Sequence, residues 1–332
     1  MSDRVSTLPG VTDALEIGGT GPGGSAGGGP RAGSGDDAGA GGFVRRPLAL
    51  SASRAADFRR CPLLYRLRAI DRIPEPRSRA QVLGTVVHDV LETLYGLDQP
   101  ERGPARAADL VGDAVEAFFA PGGGNEAGGL VVVPLADRDA FRAEAAALVA
   151  TLYGVEDPQR FSPAACEQYL VTATAAGTPL HGYLDRVDVA PTGEVRVVDY
   201  KTGKPPRPAY RDEAMFQMRF YALMYQRVHG VLPTQLKLIY LKDGSWLTLS
   251  PDAEGLAGTE ATLDALWAAI ESAGGSGEFA PRTSRLCDWC AHQSLCPAFG
   301  GTPPEYPGWP GSRMVPVDVT PIERPERPGG AG

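Results

Sequence analysis

The sequence predicts an α/β domain with a central mixed β-sheet flanked by helices. Three observations carry that reading. The patterned segments run helices, three strands, a helix, two strands and a helix, an order that suits layered α/β packing. The strand segments alternate with period two, whereas the helical ones show apolar residues at i, i+3 and i+4. The patterned stretch, residues 47–300 of 332, is also long enough to bury a sizeable core.

The two ends do not share this patterning. Residues 1–46 read as a disordered glycine-rich leader: 14 of the 42 glycines fall within the first 42 positions, with almost no apolar periodicity. Residues 301–332 carry eight prolines and read as an extended tail, in which Tyr306, Trp309 and Val315–Val319 could dock on the body. The chain opens without the basic and apolar regions of a signal peptide, and no 18-residue apolar stretch suits a membrane span. A cytoplasmic location is therefore expected, where five cysteines are not expected to form structural disulfides.

Taken in order, Leu48–Ser53 is a short extended run leading to a helix at about 54–67, capped by Ser51 or Ser53. Cys61-Pro62 interrupts it, because proline is poorly tolerated inside a helix. Leu83, Val86, Val87, Val90, Leu91 and Leu94 form the buried stripe of a helix at 80–97. Helices at 105–120 and 137–154 follow, joined through a mobile Gly122–Gly129 loop. Strands are expected at 165–174, 180–189 and 194–201, a helix at 211–229, and a second hairpin at 235–241 and 245–249 around Asp243-Gly244. A helix at 253–272 leads to a cysteine cluster.

The chemistry concentrates in residues 181–205, HGYLDRVDVAPTGEVRVVDYKTGKP. With Thr192 at the centre of the turn, residues pair where their numbers sum to 384. Asp185 then lies opposite Asp199, and Lys201 shares their face. Opposed carboxylates repel within a sheet. A divalent cation on hard oxygen ligands would offset that repulsion, and the adjacent lysine could orient a water. Asp188 falls opposite Arg196 on the other face and reads as a plain ion pair.

Other residues could join this site. His88 lies on the helix expected to pack against the hairpin and could add a nitrogen ligand. Gln217 and Tyr221, four apart on one helix face, could contact a phosphate and a base. Cys287, Cys290 and Cys296 form C-x2-C-x5-C, a spacing suited to a soft metal centre that needs a fourth ligand. Cys61 could supply it and clip together a loop of about 225 residues; His292 could instead complete a Cys3His zinc site. Cys166, on a strand, reads as a small core residue.

The net charge of −8 argues against indiscriminate coating of nucleic acid. Residues 45–80, however, hold ten arginines against Asp57, Asp71 and Glu75, and could bind phosphates or form a solvated helix face. No G-x-x-x-x-G-K-[ST] loop, G-x-S-x-G elbow or H-E-x-x-H occurs.

Together these residues resemble the RecB-family exonucleases of the PD-(D/E)XK nuclease superfamily, a group that includes the iron–sulfur nucleases of CRISPR adaptation and the AddB nuclease domain. The resemblance covers roughly residues 48–300. It rests on S-A-S-x7-C-P-x2-Y (51–65), G-T-x2-H-x3-E (84–92), G-Y-L-D-R-V-D (182–188), V-V-D-Y-K-T-G (197–203), Q-x3-Y (217–221) and the cysteine trio, in that order. Leu184 stands where the superfamily name has proline.

The resemblance implies a restriction-endonuclease-like core and a Mg²⁺- or Mn²⁺-dependent DNA exonuclease of repair or recombination, acting on single strands or ends, with a separate helicase as a partner. It implies His88, Asp185, Asp199 and the Tyr200 carbonyl as metal ligands, and Lys201 as the catalytic lysine. Gln217 and Tyr221 support that lysine, and Glu167 matches an acidic residue on the preceding strand. Cys61, Cys287, Cys290 and Cys296 would hold a [4Fe–4S] cluster joining the N- and C-terminal segments. Two rival readings remain: a non-cleaving nucleic-acid-binding module of this fold, and a zinc-stabilised interaction protein.

Overall fold

Ser51 starts the first helix. Its hydroxyl accepts the Arg54 N–H at 3.2 Å and caps α1 (Ala52–Arg60). Cys61 then takes an extended conformation, and Pro62, suited to a first helical turn, opens the short α2 (Pro62–Tyr65). The single helix expected at 54–67 is thus two, followed by a π-helical turn over Arg66–Ile70. A computed structural model describes residues 48–127, 130–208 and 211–311; the leader and Val315–Val319 lie outside them.

Ser78 and Gln81 form a reciprocal capping box at the start of α3 (Arg79–Gly96), whose expected apolar stripe is buried throughout. Next come α4 (Pro104–Phe119) and α5 (Arg138–Val155). Between them, where a mobile loop was expected, Glu126–Ala127 (β1) pairs antiparallel with Leu130–Val131 (β2). Two-residue strands are too short to leave a period in the sequence.

The five remaining strands form one sheet. They are β3 (Ala165–Ala173), β4 (Pro179–Val189), β5 (Val195–Lys201), β6 (Gln235–Tyr240) and β7 (Ser245–Leu249), in that spatial order. All neighbours are antiparallel except β5 and β6, and α6 (Arg211–His229) is the crossover that a parallel pair requires. The β4–β5 pairs, from Arg186↔Val198 to Val189↔Val195, keep the expected sum of 384.

Alternation along β5 and β6 divides the core into two layers. Val195, Val197, Leu236 and Leu238 pack with α1, α6 and α7 (Ala253–Ser276). Val198, Tyr200, Ile239 and Leu241 pack with α3, α4 and α5. Helices therefore cover both faces of the mixed sheet. Beyond α7 the chain returns along it: the Tyr306 hydroxyl donates to the Gly274 carbonyl at 2.7 Å. Trp309 lies so close that a Cβ on Gly274 would fall 2.3 Å from its ring, so only glycine fits there. Among the described residues no helix is long and apolar enough to cross a membrane.

Candidate active site

The site forms where two strands lose their regular alternation. On β4, Leu180 and Leu184 face the α6 side, but so do Val187 and Val189, which have the opposite parity. The break falls at Asp185–Arg186. On β3, Glu167 has φ +45°, a left-handed conformation costing a non-glycine residue about 1–3 kcal/mol. Glu167 is skipped in the β3–β4 ladder between Cys166↔Arg186 and Gln168↔Leu184, which places it opposite Asp185.

This break alters the geometry expected from the sequence. Asp199 and Lys201 remain on the α6 side of β5, but Asp185 does not simply share their face. The β4–β5 ladder ends at Arg186↔Val198, and Asp185 Oδ2 instead accepts the Tyr200 N–H at 2.8 Å. Its carboxylate takes the place of a strand carbonyl and turns toward α3. There His88 Nδ1 lies 3.5 Å from Asp185 Oδ2 and 3.5 Å from Glu167 Oε1, while Nε2 lies 3.0 Å from the Tyr200 carbonyl oxygen. Ligand atoms of His88, Glu167 and Asp185 all fall within 4.8 Å of one another.

Electrostatics set this group apart. Burial, then the charge of Asp199, pushes the Asp185 carboxyl up to about 7. Burial disfavours the charged form of His88, but its bond with Glu167 and the charges of Asp185 and Asp199 outweigh that and hold it at about 9. Three carboxylates, Glu167, Asp185 and Asp199, are thus crowded against two cationic side chains, the half-buried His88 imidazole and Lys201 beside Asp199. Two carboxylates, an imidazole and a backbone carbonyl fit a hard divalent cation.

On the other side of β5, a chain of contacts joins the remaining residues. Lys201 Nζ lies 2.6 Å from Asp199 Oδ2 and donates to Gln217 Oε1 at 3.0 Å. The Gln217 amide donates to Asp199 Oδ1 at 3.0 Å and to the Tyr221 hydroxyl at 2.9 Å. Burial opposes the charge on Lys201, but Asp199 more than restores it and raises its pKa. This lysine is therefore a cationic donor. Helix α6 reaches these strands because Gly182 lets it close in; a Cβ there would sit 3.2 Å from the Tyr221 ring.

Behind Asp185 lies a residue that the sequence reading passed over. Arg186 is fully buried and bonds Glu156, Asp188 and the hydroxyls of Tyr95 and Tyr200. Asp188 also pairs with Arg196 at 2.8 Å as expected, so that pair is part of a larger network.

Four of the five cysteines line one cavity of about 40 Å³: Cys61, Cys287, Cys290 and Cys296. The N–H of Arg282 points at Cys61 Sγ (3.4 Å) and that of Ser284 at Cys287 Sγ (3.3 Å). His292 does not line the cavity; its Nε2 lies 2.6 Å from Glu75. Cys166 instead packs against the α3–α5 core.

The arginine-rich segment is mostly engaged within the molecule. Arg54 bonds the Ala49 carbonyl, Arg59 lies over Phe216, and Arg60 bonds the Leu286 carbonyl. Arg66, Arg68 and Arg79 pair with acids. Arg72 and Arg77 are exposed. The segment's charge is thus largely spent on tying the fold together.

A family model described as the PD-(D/E)XK nuclease superfamily matches residues 49–297. No curated protein matches the chain. Among solved structures, that of a candidate exonuclease from Eubacterium rectale shares 14% identity at a TM-score of 0.47, over 74% of this chain and 87% of its own. SSO0001 shares 15% identity at a TM-score of 0.32, over 49% of this chain and 80% of its own. These two likenesses are too distant to bear on the reaction.

Proposed function

The chain belongs to the PD-(D/E)XK nuclease superfamily, and from that premise we propose that it is a metal-dependent DNA exonuclease of the RecB-like, iron–sulfur type. Its substrate is single-stranded DNA or DNA ends, in repair or recombination. The observation that carries this reading is that β3, β4 and β5 bring together a candidate ligand group, His88, Glu167 and Asp185, and the Asp199–Lys201–Gln217 chain. Superfamily members use Mg²⁺ or Mn²⁺.

His88, Glu167, Asp185 and the Tyr200 carbonyl would hold the ion, with Asp199 beside them. When bound, it supplies Lewis-acid polarisation of a phosphoryl oxygen and a more acidic water. Lys201, kept cationic by Asp199, donates to the water or the phosphoryl oxygen and answers negative charge that develops in the transition state. Gln217 fixes Lys201 and Asp199 relative to each other, and Tyr221 holds the Gln217 amide. The Asp185–Tyr200 bond keeps β4 and β5 in place as charge accumulates.

The four cysteines of the cavity are read as ligands of a [4Fe–4S] cluster. Their common cavity and the N–H groups directed at two sulfurs support this. The contact of His292 with Glu75 counts against the Cys3His zinc alternative. In this reading residues 47–300 form the nuclease domain, the protein is cytoplasmic, and a separate helicase supplies the single strand.

The test is Mg²⁺- or Mn²⁺-dependent degradation of end-labelled single strands by anaerobically purified protein. Lys201→Ala, folded as judged by thermal unfolding, should lose at least about 10²–10³-fold in rate. Undiminished cleavage would sink the assignment, and metal-free binding without any products would favour the non-cleaving module. A colourless, zinc-loaded protein without absorbance near 400 nm would reject the cluster.

A further inference from the structure

Tyr169 and Tyr183 pair across β3 and β4, with ring centroids 4.6 Å apart and planes inclined by 38°. Both are exposed, Tyr183 by 54% and Tyr169 by 37%. Cross-strand aromatic pairs stabilise sheets. That accounts for their adjacency but not for so much bare ring at this place.

The place is informative. Each tyrosine stands two residues along its strand from a proposed ligand, Tyr169 from Glu167 and Tyr183 from Asp185. One repeat of the pleat spans roughly 7 Å, comparable to one nucleotide of an extended strand. The row continues away from the ligands through His181, whose ring lies 6.2 Å from that of Tyr169. Arg54 then brings a guanidinium to 3.3 Å from His181 Nε2. An exposed aromatic surface continuous with a phosphodiester site has the composition of a single-strand track.

We infer that Tyr169 and Tyr183 form a stacking platform for the base of the nucleotide next to the scissile phosphate. The platform deepens the nuclease reading above and rests on it. It also selects substrate. A base within a duplex is already stacked and paired, so it reaches the tyrosines only after paying for extrusion, whereas an unpaired base pays little. The platform thus explains a preference for single strands without any contact to base edges.

The experiment measures binding of the full-length protein to labelled single strands by fluorescence anisotropy, in chelator so that no strand is cut. Each strand carries one abasic residue, moved stepwise along the sequence. Wild type should lose about 10-fold in affinity at one position. Tyr183→Ala should bind the intact strand about as weakly and become indifferent to that position, and Tyr183→Phe should restore both behaviours. Tyr183 is more than half exposed, so the alanine variant should unfold within a few degrees of wild type.

The platform is overturned if a Tyr169→Ala, Tyr183→Ala double variant binds the intact strand as wild type does, or if the abasic penalty persists without the rings. A separate Mn²⁺ reaction keeps the two claims apart. Position-specific coupling without any cleavage would uphold the platform and reject the nuclease. Cleavage without coupling would do the reverse.

Discussion

Asp185 and Arg186 are neighbours on one strand, yet they enter two opposite kinds of charge cluster. Arg186 lies at the centre of a balanced one, fully buried among Glu156, Asp188, Tyr95 and Tyr200, with Arg196 beside Asp188 and Lys237 beside Glu156. Asp185 lies in an unbalanced one, crowded by Glu167 and Asp199, with its carboxyl pushed up to about 7 by burial and Asp199. Both are dense in ionisable groups, so density alone does not mark function. An excess of carboxylate over cation, three against His88 and Lys201, does. The Arg186 cluster builds the fold, and the Asp185 cluster is held in a costly arrangement until something positive arrives.

The contrast can be broken most forcefully at Arg186. Arg186→Met removes the central cation of the network, leaving Asp188 with Arg196 alone and Glu156 with Lys237 at 3.8 Å, and should destabilise the protein by about 3–5 kcal/mol in denaturant unfolding. A loss under 1 kcal/mol would mean that the network is not structural. Because the Tyr200 hydroxyl bonds Arg186 while its N–H and carbonyl face Asp185 and His88, the same variant should also weaken metal binding.

Asp185→Asn should act with the opposite sign and a smaller size. A carboxyl raised above its ordinary value of 3.8 binds more protons folded than unfolded between about 4 and 7. Metal-free stability therefore falls as pH rises through that window. His88 acts in the same direction at higher pH: its stabilisation is complete below about 6.5 and is lost as pH rises through about 9. Removing the Asp185 charge should make the metal-free protein more stable at pH 8 by on the order of 2 kcal/mol. It should change little near pH 4. A variant less stable than wild type at pH 8 would show that the charge at this position is already compensated.

The legible parts of this molecule are those that rest on period. The stripe of α3, the alternation of β5 and β6 and the β4–β5 register follow from apolar residues recurring at 3.6 or 2, and the structure keeps them. The residues facing the site could be named because Asp185, Asp199, Lys201, Gln217 and Tyr221 sit in such elements. What was not legible depends on departures from period or on distant partners. Glu167 and Asp185 could be named, but the local break in alternation that turns them toward His88 is something no average pattern encodes. Arg186 went unnoticed because Glu156, thirty positions earlier, and two tyrosines must converge before it can be buried. The arginines of residues 54–79 looked free to meet phosphate because acceptors such as the Leu286 and Pro304 carbonyls lie more than 200 residues away.

The central claim is that the Asp185 cluster is completed by a divalent cation. Calorimetric titration of Mn²⁺ into metal-free wild type and Asp185→Asn, at pH 6, 7.5 and 9 and in two buffers of different ionisation enthalpy, tests it most directly. Ligands must shed protons to bind. The account therefore predicts wild-type affinity rising from pH 6 to 9, proton release that diminishes toward pH 9, and a variant that binds at least about 10-fold more weakly. Binding indifferent to pH, without proton release and equal in the two proteins, would contradict it.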